Sequence, residues 1–489
     1  MDYSTLVLDK NHPFAKAKLR DGEVDDERGI LRISTHTFVT AKHRQGLLPE
    51  IVKHLQDCRT RAKAALKKAK DPMEYQVCDA RQLAFKIAGN GMYGALGSSL
   101  SLLPLMAIAE SVTALGRLDL LTVRRIALET YPDAEVVYGD TDSIFVAYSL
   151  APEIAGDTIA AVTHASELTV ALAKKINGVM RAPTSIEFEK ILSVFLLLTK
   201  KRYAAIKYAA GFKFGVDTPE LLIKGLQSVR RDGCPLVRDL VRDVVASILE
   251  SGTDVDAAAL VRRRLLDVVE DKAPLEWYIT KKTLRKTLQD CSKPMTAREL
   301  QEIRRAIGAP ASLEGPLTYA EEDAAILAKV PLPYRARVRL PHVMLAHRMR
   351  LKDPGSSPVC GQNVSYVVTY NGGNGKIYDA VEAAEDVVAR HIPVDRAYYL
   401  KALRTPVNNI FGPVAAQRLL AQHTSLREGP KKDLERAVDA ELDLKLWRVL
   451  RGRALEEEPE TKRARIAASP LARAFARQAA TTTATPKQS

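Results

Sequence analysis

Apolar residues recur at helical spacing between Gly46 and Leu96. The stretch GLLPEIVKHLQDCRTRAKAALKKAK, which starts at Gly46, has apolar positions three or four residues apart and ends in a basic run. Asp71-Pro72 breaks the pattern, which then resumes as MEYQVCDARQLAFKIAGNGMYGAL. The sequence therefore predicts two long helices joined by a tight turn, which together form an antiparallel helical hairpin.

Strand and helix patterns are mixed in the segments that flank this hairpin. Alternation in ILRISTHTFV, residues 30–39, predicts a strand, and the apolar stretch at 101–130 predicts a helix packed in a core. AEVVYGDTDSIFVAY, at 134–148, predicts two strands that flank a four-residue turn. A helix is predicted next at 157–180, followed by strand-like sequence at 185–208. This order indicates a mixed α+β architecture.

The pattern changes again after Lys224. The chain becomes mostly helical and arginine-rich, with a part at 352–376 that is interrupted by proline and glycine, which predicts a separate domain. After residue 452 the sequence is rich in alanine, arginine and threonine without apolar periodicity, and we expect a basic disordered tail. TKRARIA within this tail fits a solvated charge run better than a nuclear-import patch.

Composition narrows the class of protein. The chain has 489 residues, of which 46% are hydrophobic, and this length allows two to four domains with their own cores. The 73 Lys and Arg residues outnumber the 59 Asp and Glu residues, giving a formal net charge of +14, which suits nucleic acid but also suits many solvated basic surfaces. The five cysteines show no CxxC pair, so neither a disulfide framework nor a structural zinc is indicated. Without an apolar leader or a long apolar run, we expect an intracellular, non-secreted protein with no membrane partner.

An acidic turn is the sharpest candidate for chemistry. In Tyr138-Gly139-Asp140-Thr141-Asp142-Ser143, the carboxylates of Asp140 and Asp142 stand at i and i+2 between two apolar strands. In an extended hairpin these positions point to the same side and present oxygen to one or two divalent cations. A solvated tight turn is the alternative, because Gly-Asp turns are common in hairpins.

A polar stripe on the second predicted helix is the next candidate. Lys86, Asn90 and Tyr93 fall within a narrow angular range of the helix, so that one face offers an ammonium, an amide and an aromatic ring. Such a stripe can hold a triphosphate and stack against a base. A half-exposed helix face that ends at a capping Gly94 is the alternative.

Basic residues on the first predicted helix extend this pattern. Arg59 and Lys63 lie one turn apart, and Lys67 and Lys70 continue the same edge. A solvated helix face is the default interpretation of such a run. Opposite the stripe that contains Lys86, however, the same residues would close a cationic clamp around phosphate oxygens.

A third cationic group follows an apolar strand. Lys200, Lys201 and Arg202 precede Tyr203, which sets three cations and a phenol at the edge of a predicted sheet. Such a group can grip a duplex backbone or its minor groove, where shape is read. An edge strand protected by lysines is the alternative.

The order of these motifs resembles the C-terminal part of a family B DNA polymerase, of the alpha/delta-like type that includes large DNA viruses. The similarity extends from residue 1 to about residue 415. RQLAFKIAGNGMYGALG resembles the fingers motif, VVYGDTDSIF the palm carboxylate motif and LLLTKKRYAAIKY the duplex-holding motif of the palm. GLLPEIVKHLQDCRTRAKAALKK resembles the fingers entry helix, and LLIKGLQSVRRDGCPLV resembles the palm-to-thumb junction. Three later segments resemble the thumb: LEWYITKKTLRK, RLPHVMLAHRM and DRAYYLKALRTPVNNIFGPV.

The resemblance implies a right-hand polymerase fold of the α+β multidomain class. The expected parts are a partial palm at 1–45, a helical-hairpin fingers domain at 46–98 and the palm with the catalytic hairpin at 99–226. A mainly helical thumb at 227–451 and the basic tail at 452–489 follow.

The resemblance also implies roles for particular residues. Asp142 is the expected ligand of two magnesium ions, with Asp140 as an auxiliary acid beside it. The expected contacts of the incoming deoxynucleoside triphosphate are Arg59, Lys63, Lys86 and Asn90, with Tyr93 under the nascent base pair. The expected contacts to the primer-template duplex are Lys200, Lys201, Arg202, Tyr203, Lys224, Arg230 and Arg231.

One departure from the family pattern bears on activity. In the family a strand motif of the form DFxSLYPSI supplies another metal carboxylate and is followed by text resembling NLCYSTLV, whereas this sequence begins MDYSTLV. We therefore expect that strand, its steric-gate tyrosine and the upstream exonuclease to come from a second polypeptide or an upstream segment. Gly91 stands where the family commonly has serine. Cysteine-rich C-terminal modules are not seen, which favours a viral source.

Two functions follow from these expectations. The first is nucleotidyl transfer onto a DNA primer, completed by the missing segment, with a processivity factor as a further partner that the resemblance allows. The second is a binding module, a remnant that grips primer-template DNA or a replication protein without catalysis. In either case the resemblance implies a host nucleus or a viral replication compartment as the place of action.

Overall fold

The structure is a computed structural model in which the chain divides into two compact units, Met1–Ile191 and Leu192–Ser489. It describes residues 6–7, 19–28, 30–102, 104–310, 314–371, 376–423 and 430–450. The boundary between the units falls within the palm region predicted at 99–226, and the predicted division into palm, fingers and thumb stays a prediction. The predicted disordered tail at 452–489 lies outside the described residues.

The first unit contains a small antiparallel sheet of β1 (Val24–Asp25), β2 (Ile30–Ile33) and β3 (His36–Val39). The stretch predicted as one strand is therefore a hairpin. Ile33 pairs with His36, so that a two-residue turn joins β2 to β3. Alternation along the sequence continues through such a short turn, which is why the pattern did not reveal it.

The helical hairpin is present as predicted, with α1 at Leu47–Lys68 and α2 at Pro72–Leu96. Asp71 caps α2, because its carboxylate accepts hydrogen bonds from the backbone N–H groups of Met73 and Glu74, each at 3.0 Å. The buried residues of these fully described helices are Ala62 and Cys78. The hairpin therefore exposes most of its side chains, which suits a part that contacts something else.

Helix α3 (Met106–Thr130) is the central support of the first unit. It has 25 residues, a length of about 37 Å at the usual rise of 1.5 Å per residue. Near its N-terminus, Ile108 and Ala114 pack in a cluster with residues from β2, β3 and the end of α2, namely Ile33, Phe38 and Leu96. The fingers-like hairpin and the small sheet are thus both anchored to the first half of α3.

The second half of α3 holds a different hairpin, formed by β4 (Glu135–Asp140) and β5 (Ser143–Ala147). Val123, Ile126 and Ala127 of α3 pack in one cluster with Ile144 and Val146 of β5. A short helix, α4 (Pro152–Ala155), leads to α5 (Thr158–Asn177), which contributes further residues to the same cluster, Leu172 and Ile176.

The second unit begins with a three-stranded antiparallel sheet, in the order β6 (Lys190–Thr199), β7 (Arg202–Ala209) and β8 (Glu220–Lys224). Gly225 follows β8 with a positive φ of 67°. A Cβ atom at this position would lie 2.2 Å from the backbone oxygen of Lys201, in the β6–β7 turn. The close approach of two backbones therefore requires glycine here.

The rest of the second unit is mainly helical, as the sequence predicts. Its helices are α6 (Pro235–Ser251), α7 (Val255–Val269), α8 (Ala297–Ala306), α9 (Tyr319–Leu327), α10 (Pro341–Lys352), α11 (Ala384–Ala389), α12 (Arg396–Gln422) and α13 (Lys431–Leu442). A three-stranded sheet among these helices was not predicted: β11 (Val381–Ala383), β10 (Asn363–Val368) and β9 (Thr280–Thr283), in that order. Its strands are short and separated by up to 79 residues, so local sequence carries little signal for their pairing.

Buried hydrogen bonds tie this sheet to the helices. The Tyr399 hydroxyl on α12 accepts from the N–H of Val368 at 2.9 Å and donates to the carbonyl of Tyr278 at 2.8 Å. At the other end of α12, Asp254 is paired with Arg418, at 3.0 Å, and also with Lys445, at 2.6 Å. Burial alone would raise the pKa of Asp254, but the hydrogen bonds from Lys445 and Arg418 outweigh burial and lower this pKa.

Replacing Gly225 by alanine should destabilise the second unit. The added Cβ would collide with the Lys201 carbonyl, and the left-handed backbone is itself unfavourable for alanine, so we expect a loss of about 2 kcal/mol or more in the free energy of unfolding. Urea denaturation measures this loss. Gly252→Ala is the matched control, because Gly252 has a similar φ of 66° with open space around it. Equal losses in the two variants would contradict the steric argument.

Acidification should weaken the second unit through His347. Burial lowers the pKa of His347 to about 4, and Arg350 adds to this effect. The unfolded imidazole has a pKa of about 6.5, so between about pH 6.5 and about pH 4 the unfolded chain binds a proton at His347 and the folded chain does not. The free energy of unfolding therefore falls as the pH drops through this range. Urea denaturation between these pH values should give a smaller pH slope for His347→Gln. His423→Gln, at an exposed position, should leave the slope unchanged.

Candidate functional site

The acidic motif forms the tip of the β4–β5 hairpin. Asp140 pairs with Ser143, and Thr141 and Asp142 form the turn between them. The turn thus has two residues where four were predicted. Asp142 is exposed in the turn and its N–H donates to the carbonyl of Asp140 at 2.6 Å. Asp140 ends β4 and Asp142 lies in the turn, so the alternation of one strand does not apply to this pair as the sequence argument assumed.

Hydroxyl groups beside the turn fix Asp140, a feature that the sequence reasoning missed. The Thr141 hydroxyl donates to Oδ1 of Asp140 at 3.0 Å, and the Ser143 hydroxyl donates to its backbone carbonyl at 3.1 Å. Thr141 has a positive φ of 55°, which is unfavourable for a β-branched residue. Such strain is typical of functional sites. The D-T-D-S pattern was the available signal, since threonine and serine next to aspartate favour local hydrogen bonds.

The carboxylates of Asp140 and Asp142 are hard oxygen donors that suit a magnesium ion. Among the described residues no group of three or more His, Cys, Asp or Glu side chains is placed to hold a metal. Magnesium is commonly bound by one or two carboxylates together with substrate phosphates and water. The acidic tip therefore fits this ion as part of a larger ligand set.

The predicted stripe on α2 is exposed. Lys86 and Asn90 are solvent-accessible, and neither has a hydrogen-bonding or ionic partner among the described residues. Tyr93 is 42% exposed, like other large side chains of this helix. The helix extends to Leu96 with Gly97 as its C-cap, so Gly94 does not cap the helix, whereas the exposed helix face itself stays the alternative interpretation.

Three glycines of α2 lie beside this stripe at positions where the packing of the fold would also accept a larger residue. A Cβ atom at Gly89, Gly91 or Gly94 would meet nothing within 4 Å. Each glycine inside a helix costs about 1 kcal/mol relative to alanine. The hairpin's own packing therefore does not require glycine at these three positions.

Helix α1 contributes cations, as predicted. Lys63 is exposed, whereas Arg59 is half-buried and its Nε atom is buried without a hydrogen-bond partner among the described residues. A guanidinium can bind a phosphate or carboxylate through its terminal nitrogens, whereas the buried Nε is a cost to stability. Lys67 lies in the last turn of α1, and Lys70 follows the end of the helix.

In the second unit, the cationic residues gather at the β6–β7 turn. Lys200, Lys201 and Arg202 are exposed, and Lys201 adopts a positive φ of 63°. Lys224 pairs across the sheet with Tyr203, which places a fourth cation at the same end of the sheet. Tyr203 is 9% exposed, with its ring 5.5 Å from that of Phe195. Its phenol ring therefore packs within the sheet more than it faces solvent.

Arg230 and Arg231 lie after a short 3₁₀ turn, Gln227–Val229, at the start of the helical region. Arg230 donates two hydrogen bonds to Asp232, at 3.1 and 3.0 Å, and this contact lowers the pKa of the Asp232 carboxyl. The charge of Arg230 is thus partly neutralised. Arg231 is exposed.

Comparisons with known proteins agree with these motifs. The family model for DNA polymerase family B matches residues 1–307 and 324–414. The DNA polymerase delta catalytic subunit of Glycine max is 32% identical over 404 residues, which is 80% of this chain and 32% of that protein. The corresponding subunit of Caenorhabditis elegans is 31% identical over 442 residues, covering 87% of this chain and 35% of that protein.

A solved structure is also similar. The family B DNA polymerase from the hyperthermophilic archaeon Pyrobaculum calidifontis is 27% identical, with a TM-score of 0.46. The alignment covers 79% of this chain and 41% of that chain. No described helix has the length and apolar character needed to cross a membrane. The chain spans about a third of the length of the curated relatives cited above. Because the family model covers most of its residues, the chain belongs to family B of the DNA polymerases.

Proposed function

We propose that this chain carries the nucleotide-binding fingers and the acidic palm hairpin of a DNA-directed DNA polymerase. The single observation that carries the proposal is the shared support of both motifs by α3. Residues near the N-terminus of α3 pack with the end of α2, and residues near its C-terminus pack with β5. One rigid helix thereby fixes an acidic tip and a cationic hairpin within one compact unit.

Template-directed nucleotidyl transfer needs phosphate oxygens held in line with a primer 3′-oxygen. In the proposal, Arg59, Lys63, Lys86 and Asn90 bind the triphosphate, and the exposure of Lys63, Lys86 and Asn90 supports this role. Tyr93 packs under the nascent base pair, where Gly94 leaves room for close approach.

Magnesium completes the acidic tip in this proposal. Asp142, exposed in the turn, and Asp140, oriented by the Thr141 hydroxyl, would hold it, and two bound ions would stabilise charge on the attacking and leaving oxygens. Two carboxylates alone leave positions for further oxygen ligands. We propose that a carboxylate from outside the described residues, or from a second polypeptide, fills one of them.

The cationic end of the β6–β8 sheet would hold the primer-template duplex. Lys200, Lys201, Arg202 and Lys224 are at this end, and Arg231 is exposed farther along the chain. Contacts of this kind act on the phosphate backbone, so binding should weaken steeply with salt. The action would take place where DNA is replicated, in a nucleus or a viral replication compartment, with a processivity factor as a further partner.

A binding module without catalysis is the second candidate. The observation that favours it is the lack, among the described residues, of a third metal-binding side chain beside Asp140 and Asp142. The two functions differ in one assay. The polymerase function requires primer extension when the chain is supplied with a family B polypeptide carrying the exonuclease and N-terminal palm, whereas the binding module predicts duplex binding and no extension in that mixture.

Asp142→Ala should abolish extension in the complemented assay. Loss of a metal ligand removes several kcal/mol of transition-state stabilisation, so we expect a drop of at least about a thousandfold in the extension rate. Affinity for primer-template, measured by fluorescence anisotropy, should change little. Asp133→Ala, at an exposed aspartate that precedes β4, is the matched control and should extend normally. Undiminished extension by Asp142→Ala would remove this residue from the site.

Lys86→Ala should raise the nucleotide concentration needed for half-maximal extension. A charge-assisted hydrogen bond contributes about 1.5 to 3 kcal/mol, which corresponds to about 10- to 150-fold in affinity. Steady-state kinetics over a range of nucleotide concentrations measure the change. Arg81→Ala removes an exposed cation from the opposite face of the same helix and should leave the requirement unaltered. An equal effect of both variants would point to general charge instead of a specific contact.

A further inference from the structure

A loop between α2 and α3 holds large apolar side chains out in solvent. Leu100 is 95% exposed and Leu102 is 99% exposed, and Met106, the first residue of α3, is 60% exposed. Single exposed apolar residues are ordinary on a protein surface, whereas several of them in one short segment mark a surface that another molecule covers. We call Leu100, Leu102 and Met106 the loop patch.

The base of this loop is fixed to the fold. The N–H of Leu105 donates to the carbonyl of Leu96 at 2.9 Å, and the N–H of Ser101 donates to the carbonyl of Ser98 at 3.1 Å. Leu96 and Leu105 both pack against the apolar cluster that anchors the first half of α3. The exposed side chains of the loop patch are therefore presented by a closed loop on a supported base.

The sequence around the loop patch carries no charge. No residue from Ala95 to Ala109 is charged, although charged residues make up 27% of the chain. A surface that binds nucleic acid needs cations to neutralise phosphates. The centre of a protein–protein interface is instead depleted of charged residues. The loop patch therefore favours a protein partner with an apolar surface over nucleic acid.

The first described residues of the chain lie at the foot of the loop. Leu6 is 9% exposed and belongs to the same apolar cluster as Leu96 and Leu105. The N–H of Val7 donates to the carbonyl of Thr37 at 2.9 Å, which fixes this entry point beside β3. A polypeptide that supplies the part of the family fold ahead of Leu6 would therefore approach the molecule next to the loop patch.

We propose that the loop patch docks a second polypeptide that carries the N-terminal palm strand of family B. The inference rests on the proposed polymerase function, in which such a polypeptide completes the metal site. Leu100 and Leu102 make the apolar contact and touch neither nucleotide nor DNA. Because the loop joins α2 to α3, a partner docked on it lies beside the helix that carries the nucleotide stripe and the helix that supports the acidic hairpin.

Binding between separately purified polypeptides tests the docking without DNA or nucleotide. The probe is the part of the Glycine max DNA polymerase delta catalytic subunit that precedes the region matched by this chain, and calorimetry measures its Kd for the full chain. Burial of one leucine side chain corresponds to about tenfold or more in affinity. Leu100→Ser and Leu102→Ser should thus each weaken binding by at least about tenfold. Equal affinities of the double variant and the unmodified chain, or no binding by the unmodified chain, would overturn the proposal.

Leu327→Ser is the matched control, because Leu327 is 71% exposed on α9 in the second unit. This variant should bind the probe like the unmodified chain. An equal loss of affinity in Leu327→Ser would show a general effect of lost apolar surface and would refute docking at the loop patch.

Measurements on the chain alone distinguish other occupants of the loop patch. The double variant should have the same Tm as the unmodified chain, because both leucines are exposed. A lower Tm would show that the chain's own residues cover the loop. A dimer in sedimentation velocity that the double variant fails to form would assign the loop patch to a second copy. Either result would exclude the proposed partner.

Primer extension separates a failure of docking from a failure of the proposed function. At a saturating concentration of the probe, the double variant should extend primers at the rate of the unmodified chain, since neither leucine contacts the reacting groups. Asp142→Ala should stay inactive under the same conditions. Binding that depends on both leucines, together with no extension by the unmodified chain, would support docking and refute the polymerase function.

Discussion

The packing of apolar side chains along α3 is the constraint on which the first unit depends. Ile108 and Ala114 hold the end of α2 and the β1–β3 sheet, and Val123, Ile126 and Ala127 hold the β4–β5 hairpin. The β4–β5 hairpin has only two strands, which are not stable by themselves. The α1–α2 hairpin has few buried residues, so its own packing does not fix its position. The separation of the acidic tip from the cationic stripe is therefore set by a helix that contributes no assigned functional side chain.

Several residues of the candidate site have features that are unfavourable for the stability of the fold. Thr141 adopts a backbone that is unfavourable for a β-branched residue, three glycines weaken α2 without a packing reason, and Arg59 keeps a buried donor unsatisfied. Each feature costs stability by a different mechanism. Similar features occur outside the candidate site, at Val194, Gly116 and Arg238, so they do not identify the site by themselves.

Much of the local structure could be predicted from the sequence. Helical periodicity gave α1, α2 and α3, and turn residues located the β4–β5 hairpin. The β9–β11 sheet escaped prediction because its short strands pair over long sequence separations, and the β2–β3 turn escaped because alternation continues through it. The identities of the candidate residues came from motif order, whereas the hydroxyls that hold Asp140 and the burial of Tyr203 required coordinates.

The close backbone contact between Gly225 and Lys201 fixes the shape of this end of the β6–β8 sheet independently of the charged side chains there. The contact joins main-chain atoms, so the contour of this end does not depend on which side chains it displays. Lysine and arginine can therefore be exchanged at the neighbouring positions without a change in the backbone contour. Under the proposed function, such exchanges would alter how tightly the duplex is held and would leave the path of the duplex along this sheet unchanged.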